Sequence, residues 1–137
     1  MPKIRLPARL ENLQKMISLL SAFAGAQGFS SDTMLDVELA LEEILVNICN
    51  YAFPGADGDM EMTYEEDQKG RLIVLLSDNG IPFDPCSAPA PNLTGDLQQR
   101  SIGGLGILLA RTLADEFHYQ RQGDSNLITM FFAKKKN

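Results

Sequence analysis

A glutamate and an asparagine stand four residues apart in a stretch with helical periodicity. Glu43 and Asn47 would therefore lie on one face of a helix. An asparagine carbonyl is an oxygen ligand that suits a hydrated Mg²⁺, and a nearby glutamate can act as general base towards a hydroxyl. Asn47 and Asn50 also fall in a segment apolar enough to be buried, where amides need partners. Taken alone, the pair is more typical of an ordinary solvated helix face.

A second candidate site follows a strongly apolar segment. Asp78, Asn79 and Gly80 come directly after the run 72–76, which predicts a strand buried on both faces. An acidic residue at the end of such a strand can accept a hydrogen bond from an exocyclic amine, and a glycine lets a flat ring approach the backbone. The same residues are also typical of a plain turn.

A third candidate site is a run of glycines that opens a later helix. Gly103, Gly104 and Gly106 would leave backbone N–H groups exposed at a helix N-terminus, where phosphate oxygens bind. The spacing matches neither a Walker P-loop nor the dinucleotide-binding fingerprint. A glycine hinge is the alternative interpretation, and it is compatible with phosphate binding.

Periodicity predicts the elements that must position these residues. The apolar residues of the second helix, which are expected to keep one side buried, are Leu35, Leu39, Leu41, Ile44, Leu45 and Ile48. The predicted order is a strand at 3–6, a helix at 10–26, a helix from about 30 to before Pro54, strands at 59–66 and 72–76, a helix at 105–117, and strands at 117–122 and 126–133. Helices and strands occur in blocks, which predicts an α+β two-layer sandwich of a mixed sheet with helices on one face.

The proline- and glycine-rich segment between residues 79 and 106 is too long for an ordinary connection. A loop of that length inside a compact domain is usually a functional lid or a disordered segment, and we place a lid at about 86–103. No repeat or linker divides the chain, so residues 1–137 are expected to form a single domain.

Composition excludes several classes of function. The chain has 12 Lys and Arg residues against 18 Asp and Glu residues, and a net charge of −6 argues against a nucleic acid partner. The uncharged stretch 16–31 is too short to span a membrane and follows helical spacing, so neither a membrane partner nor a signal peptide is expected. Cys49 and Cys86 suggest no disulfide framework, which favours reduced thiols in a cytoplasmic protein.

Three segments, read in order, resemble the motifs of a known family. E-E-I-L-V-N is similar to the N box of the GHKL ATPases, which share the Bergerat fold, and D-N-G-I-P-F-D-P and G-G-L-G-I-L-L-A-R resemble its two glycine boxes. The resemblance is greatest to the small anti-sigma-factor serine kinases and covers nearly the whole chain from the Leu39 region onwards. Three boxes in the right order are far more specific than any one of them, so their joint order favours the functional interpretation of each.

The resemblance implies a role for each box. Glu43 would activate the attacking hydroxyl, Asn47 would hold Mg²⁺, and Asp78 would bind the adenine of ATP in a pocket shaped by Gly80. The residues that would cap the phosphates are Gly103, Gly104, Leu105 and Gly106. Two weaker candidates are Arg100, as a phosphate contact from the lid, and Thr129, as a contact near the adenine. One departure is Tyr51, which stands where many relatives carry a histidine.

The resemblance also implies an activity and partners. It implies a cytoplasmic kinase that uses Mg²⁺ and ATP to phosphorylate a Ser or Thr of an anti-sigma antagonist protein, could sequester a sigma factor, and forms a homodimer with the strand at 3–6 as a candidate edge. The alternative is a non-catalytic, nucleotide-dependent module that works by sequestering a partner protein. No histidine precedes His118, which excludes a phosphoacceptor histidine on an earlier helix.

Overall fold

One five-stranded sheet with helices packed on one face makes up the described part of the chain. The structure is a computed structural model that describes residues 2–82 and 104–134. The strands are β1 (Lys3–Pro7), β2 (Asp59–Glu66), β3 (Leu72–Asp78), β4 (Glu116–Gln122) and β5 (Ser125–Phe132). The helices are α1 (Leu13–Ala26), α2 (Ser31–Asn47) and α3 (Gly104–Leu113). The predicted lid at about 86–103 lies outside the described residues.

The strand order in the sheet is β1-β2-β3-β5-β4, and every one of the four pairings is antiparallel. The α+β class with helices on one face is therefore confirmed, but the strands of the described part form no parallel pair, so the sheet is not mixed. The prediction that the run 72–76 is buried on both faces was also wrong. Leu72, Val74 and Leu76 are buried, whereas Ile73 and Leu75 are only half-buried on the uncovered face. An unbroken apolar run does not by itself distinguish these two environments.

The first helix follows the predicted amphipathic pattern over most of its length. Leu13, Ile17 and Leu20 recur at intervals of four and three residues, as on one face of a helix, and all three are buried in the core. Residues 10–12 form a short 3₁₀ turn ahead of α1, and there Leu10 is 57% exposed. The helix therefore begins three residues later than predicted, and Leu10 lies outside its buried stripe.

The second helix begins at a side-chain cap and buries a different stripe from the one predicted. The Ser30 Oγ accepts a hydrogen bond from the Thr33 N–H at 3.2 Å, which satisfies one of the free donors at the helix start. Leu41 lies at the centre of the buried side. At 100° per residue, Leu35 and Leu39 then fall on the opposite side, where they are 59% and 37% exposed. The prediction that these two leucines are buried was wrong.

A π-helical turn, Ile48–Ala52, extends α2 and ends before Pro54, as predicted. Such turns inside helices are frequent at functional sites. This one carries the Ala52 carbonyl to the loop after β3, where it accepts a hydrogen bond from the Ile81 N–H at 2.9 Å. The end of α2 is thereby attached to the end of the central strand.

The third helix is shorter than predicted. It ends at Leu113 and not at residue 117, and Phe117 belongs to β4. Asp115 lies where the chain turns from α3 into β4. Its N–H donates to the Phe131 carbonyl at 2.8 Å, and its carboxylate accepts from the Ala133 N–H at 2.7 Å. Both bonds attach the chain to β5, so the helix cannot continue.

Candidate functional site

A pocket opens between the end of α2 and the inner face of the sheet. The helical side of its lining consists of Ile44, Asn47, Ile48, Tyr51 and Ala52. The sheet contributes Asp78, Asn126 and Ile128. The pocket therefore brings together Asn47 of the first predicted box and Asp78 of the second. Apolar walls with a few polar groups suit a flat ring that makes a small number of hydrogen bonds.

Asp78 is the acidic group of this pocket and is only 6% exposed. Its Oδ1 accepts two hydrogen bonds, one from the Gly80 N–H at 2.8 Å and one from the Asn126 Nδ2 at 3.0 Å. Among the residues that the structure describes, Oδ2 makes no hydrogen bond. This oxygen is thus left as an acceptor for a ligand N–H, which is the chemistry predicted for Asp78.

Gly80 is required by a close approach between two protein segments. A Cβ at this position would lie 2.3 Å from the Ala52 carbonyl oxygen and 2.6 Å from the Ala52 Cβ. The Gly80 carbonyl also accepts a hydrogen bond from the Arg121 Nη1 at 2.8 Å. Gly80 was predicted to shape the pocket for an approaching ring. The structure shows that it shapes the pocket by letting the loop after β3 pack against the end of α2.

Asn47 is half-buried with its amide nitrogen already engaged. The Asn47 Nδ2 donates to the Glu43 carbonyl at 2.8 Å, which orients the side chain and leaves Oδ1 as the available atom. Glu43, also half-buried, lies one turn earlier on the same helix face. Asn50, by contrast, is exposed and does not need the buried partner that the sequence implied.

The donor set around Asn47 fits a magnesium ion that a nucleotide would share. Within residues 2–82 and 104–134, no group of three or more His, Cys, Asp or Glu residues could hold a metal ion by itself. An amide oxygen on a half-buried helix face is a hard ligand, and Mg²⁺ usually combines one or two such protein ligands with substrate phosphates and water. The residues present therefore fit the ion only together with phosphate oxygens.

The glycine box lies at the N-terminal end of the described part of α3. The structure describes α3 from Gly104 onwards, so Leu105 and Gly106 belong to this helix. That end of the helix carries the positive end of its dipole, which favours an anion. Gly103 and the lid candidate Arg100 lie outside the described residues.

Thr129 is the one predicted site residue that the sheet places elsewhere. It pairs with Leu75 across β3 and β5, whereas Asn126 pairs with Asp78. Residues three apart on a strand point to opposite faces, so Thr129 lies on the face away from the pocket. The register contradicts its predicted contact with adenine. The sequence did contain the signal, because alternation with Ile128 and Met130 places Asn126 on the inner face.

Cys49 lies on the π-helical turn but not in the lining of this pocket. It is a free thiol, as predicted, and its Sγ donates to the Met60 Sδ at 3.9 Å. Burial raises the pKa of the Cys49 thiol, which disfavours the reactive thiolate. Cys86 lies outside the described residues. None of the described helices is long and apolar enough to cross a membrane.

Comparison with known proteins identifies relatives along almost the whole chain. A family model described as "Histidine kinase-like ATPase domain" matches residues 6–132. The protein named "Serine-protein kinase RsbW" from Listeria monocytogenes serotype 4a is 34% identical over 142 residues, covering 97% of this chain and 88% of that protein. The protein of the same name from Bacillus cereus (strain G9842) is 24% identical over 98% of this chain and 86% of its own length.

Solved structures show the same fold at lower identity. The RsbU and RsbW domains of Rv1364c from Mycobacterium tuberculosis match the whole of this chain with a TM-score of 0.63 and 13% identity. A blue-light activated histidine kinase from Erythrobacter litoralis matches 89% of this chain with a TM-score of 0.61 and 19% identity. This chain spans only 34% and 40% of those two structures. With a family match over residues 6–132 and a relative 34% identical over nearly its full length, the chain belongs to the histidine kinase-like ATPase domain family.

Proposed function

We propose that this chain is an ATP-dependent serine/threonine protein kinase that acts on an anti-sigma antagonist protein. The observation that carries the proposal is the pocket in which Asn47 and Asp78 meet, with Glu43 one turn away on α2. Its similarity to proteins named serine-protein kinase, at 34% identity over 97% of the chain, supports the same activity. Mg²⁺ is the proposed second cofactor.

The position of a side chain supports each proposed role. The Asp78 Oδ2 accepts the exocyclic amine of adenine, between the apolar walls of the pocket. The Asn47 Oδ1 binds the metal ion, which when bound neutralises charge on the phosphates. The Glu43 carboxylate takes the proton of the attacking Ser or Thr hydroxyl as the γ-phosphoryl group moves to that oxygen and ADP leaves. Such transfer depends mainly on positioning and electrostatics.

The proposed partners are two other proteins and a second copy of this chain. We propose that the phosphorylated substrate is the antagonist protein, that the chain also binds a sigma factor, and that it works as a homodimer. β1 is an edge strand of the sheet, and this supports it as a candidate dimer contact.

One experiment separates nucleotide binding from phosphoryl transfer. Mg²⁺ and ATP at 100 times Kd should stabilise the wild-type protein by about 2.7 kcal/mol, measured as a rise in melting temperature. Asp78→Asn should abolish the rise, because the change keeps Oδ1 as an acceptor but replaces the free Oδ2 by a donor amide. Glu43→Gln should keep the rise and lower transfer from labelled ATP to a candidate antagonist by about 100-fold or more.

The matched control for transfer is Glu42→Gln, since Glu42 is exposed on the same helix and carries the same charge. That variant should phosphorylate the antagonist at the wild-type rate. A wild-type protein whose melting temperature does not respond to nucleotide would refute ATP binding. Binding without any transfer would favour the non-catalytic binding module, and full transfer by Glu43→Gln would remove the proposed base.

A further inference from the structure

A chain of buried and part-buried hydrogen bonds connects Asp78 to the edge strand β4. Asn126, the cross-strand neighbour of Asp78, is only 4% exposed. Its Nδ2 donates to the Asp78 Oδ1 at 3.0 Å and to the Ile81 carbonyl at 2.8 Å. Its Oδ1 accepts from the Tyr119 hydroxyl at 2.6 Å. The two amide hydrogens and the amide oxygen of Asn126 are therefore all engaged in defined directions.

The Tyr119 hydroxyl reinforces the orientation of the Asn126 amide. If the amide were reversed, its oxygen would face the carboxylate of Asp78 and the carbonyl of Ile81, two acceptors that cannot donate to it. The hydrogen bond from Tyr119 adds to this preference, because it is made to the oxygen in the observed orientation. Asp78 consequently meets a donor on its β5 side.

The same network decides which atom of Asp78 is available to a ligand. The Gly80 N–H and the Asn126 Nδ2 both bind Oδ1, so the carboxylate is held by one oxygen and offers the other. An acceptor in the pocket that has no donor among the described residues favours a ligand N–H over a ligand oxygen, because two facing acceptors removed from water are costly. An exocyclic amine on the base satisfies this requirement and a carbonyl at the same place does not.

We propose that Asn126, oriented by Tyr119, is the positioning residue that makes this pocket select a 6-amino purine over a 6-oxo purine. The inference rests on the proposed binding of ATP and adds two residues to it. Neither residue touches the reacting phosphate. Both act through Asp78, so their loss should alter base preference more than it alters binding of nucleotides in general.

The test compares ATP with inosine triphosphate, which carries a carbonyl in place of the 6-amino group. Affinities of both nucleotides are measured with Mg²⁺ by titration calorimetry for the wild type, Tyr119→Phe and Asn126→Leu. Tyr119→Phe should weaken ATP binding about three- to tenfold, which corresponds to one hydrogen bond, and Asn126→Leu should weaken it by more than tenfold. Inosine triphosphate affinity should stay within about twofold, so the ratio of the two affinities falls in both variants.

Tyr64→Phe is the matched control, because Tyr64 is buried on the same face of the sheet and packs its ring against Phe23, outside the pocket lining. It should leave the affinity ratio unchanged. If Tyr119→Phe, folded as judged by its melting temperature, keeps the wild-type ratio, or if both nucleotides weaken in parallel, the inference is overturned while ATP binding stands. A wild-type protein that binds neither nucleotide would instead refute the proposed function.

Discussion

Gly80 has no Cβ, and both the local packing and the shape of the pocket depend on that absence. The loop after β3 lies against the end of α2, held by the bond between Ile81 and Ala52. Gly80→Ala would bring a Cβ to within 2.3 Å of the Ala52 carbonyl oxygen, so backbone must move on one side or the other. We expect a loss of about 1–3 kcal/mol in the free energy of unfolding, measured by urea titration, together with weaker ATP binding.

Gly25→Ala provides the control for that substitution. Gly25 lies in α1, and a Cβ there would have nothing within 4 Å. Alanine is the better helix former, so this variant should gain about 0.5–1 kcal/mol and bind ATP as the wild type does. If Gly80→Ala were as stable as the wild type, the loop and the helix end could not be packed as closely as the structure shows.

At the scale of elements, α2 is the helix that carries the proposed base and the metal ligand. Its start is capped by Ser30, and its end is extended by the π-helical turn. Ser30→Ala removes the acceptor for the Thr33 N–H and should lower the free energy of unfolding by about 1 kcal/mol, measured by thermal or urea denaturation. The proposed base and the proposed metal ligand are more than two turns away, so transfer per folded molecule should not change.

The neighbouring substitution, Ser31→Ala, is the control for the cap. Ser31 is exposed and is the first residue of the helix, and the Thr33 N–H donates to the Ser30 Oγ and not to Ser31. Its loss should change stability by less than about 0.5 kcal/mol. Equal effects from the two substitutions would show that the Ser30 side chain does not stabilise the helix start.

The sequence predicts an element well when its ends and its buried face are set by residues close to it in the sequence. The strand at 59–66 matches β2, because its ends are marked by polar turn residues. Leu35 and Leu39 were assigned to the wrong side of α2, since a helix rich in leucine has two possible apolar stripes and only packing selects one. The end of α3 was missed because Asp115 acts through hydrogen bonds to β5, which is distant in sequence.

In the candidate site, too, the sequence identifies the residues that belong to local motifs and misses the residue whose role depends on strand pairing. The positions of Asn47 and Asp78 at one pocket follow from motifs that the sequence displays directly. Asn126 was missed because its importance arises from strand register, which pairs it with Asp78. Alternation along β5 could have identified its face, but only the register shows its partner.

At the scale of the whole molecule, the two ends of the sheet differ: one end holds a pocket and the other holds a network of charged side chains. The proposed nucleotide pocket lies at the end where β3 finishes with Asp78, and a charged network lies at the opposite end. There the Arg71 Nε pairs with the Asp67 Oδ2 at 2.8 Å and its Nη1 pairs with Glu116. The guanidinium also lies 4.6 Å from the centre of the Phe131 ring. Arg71 thus connects the β2–β3 turn with β4 and β5.

This network predicts how the stability of the molecule depends on pH. Backbone and side-chain hydrogen bonds involving Arg71 lower the pKa of Asp67, and a hydrogen bond with His118, followed by one with Arg71, lowers the pKa of Glu116. A carboxyl whose pKa is lower in the folded state stabilises the fold above its unfolded pKa, here near 3.8 and 4.5. That contribution is lost as the pH falls through the folded value.

Asp67→Asn should therefore lower the melting temperature at pH 7, and its curve should converge with that of the wild type as the pH is lowered from 5 towards 3. Asp124→Asn, which removes an exposed carboxylate in the β4–β5 turn, should follow the wild type throughout. A melting-temperature difference for Asp67→Asn that stays constant with pH would mean that the aspartate acts through its shape and not its charge. Because the network lies at the far end of the sheet, Asp67→Asn should leave the ATP affinity at pH 7 unchanged.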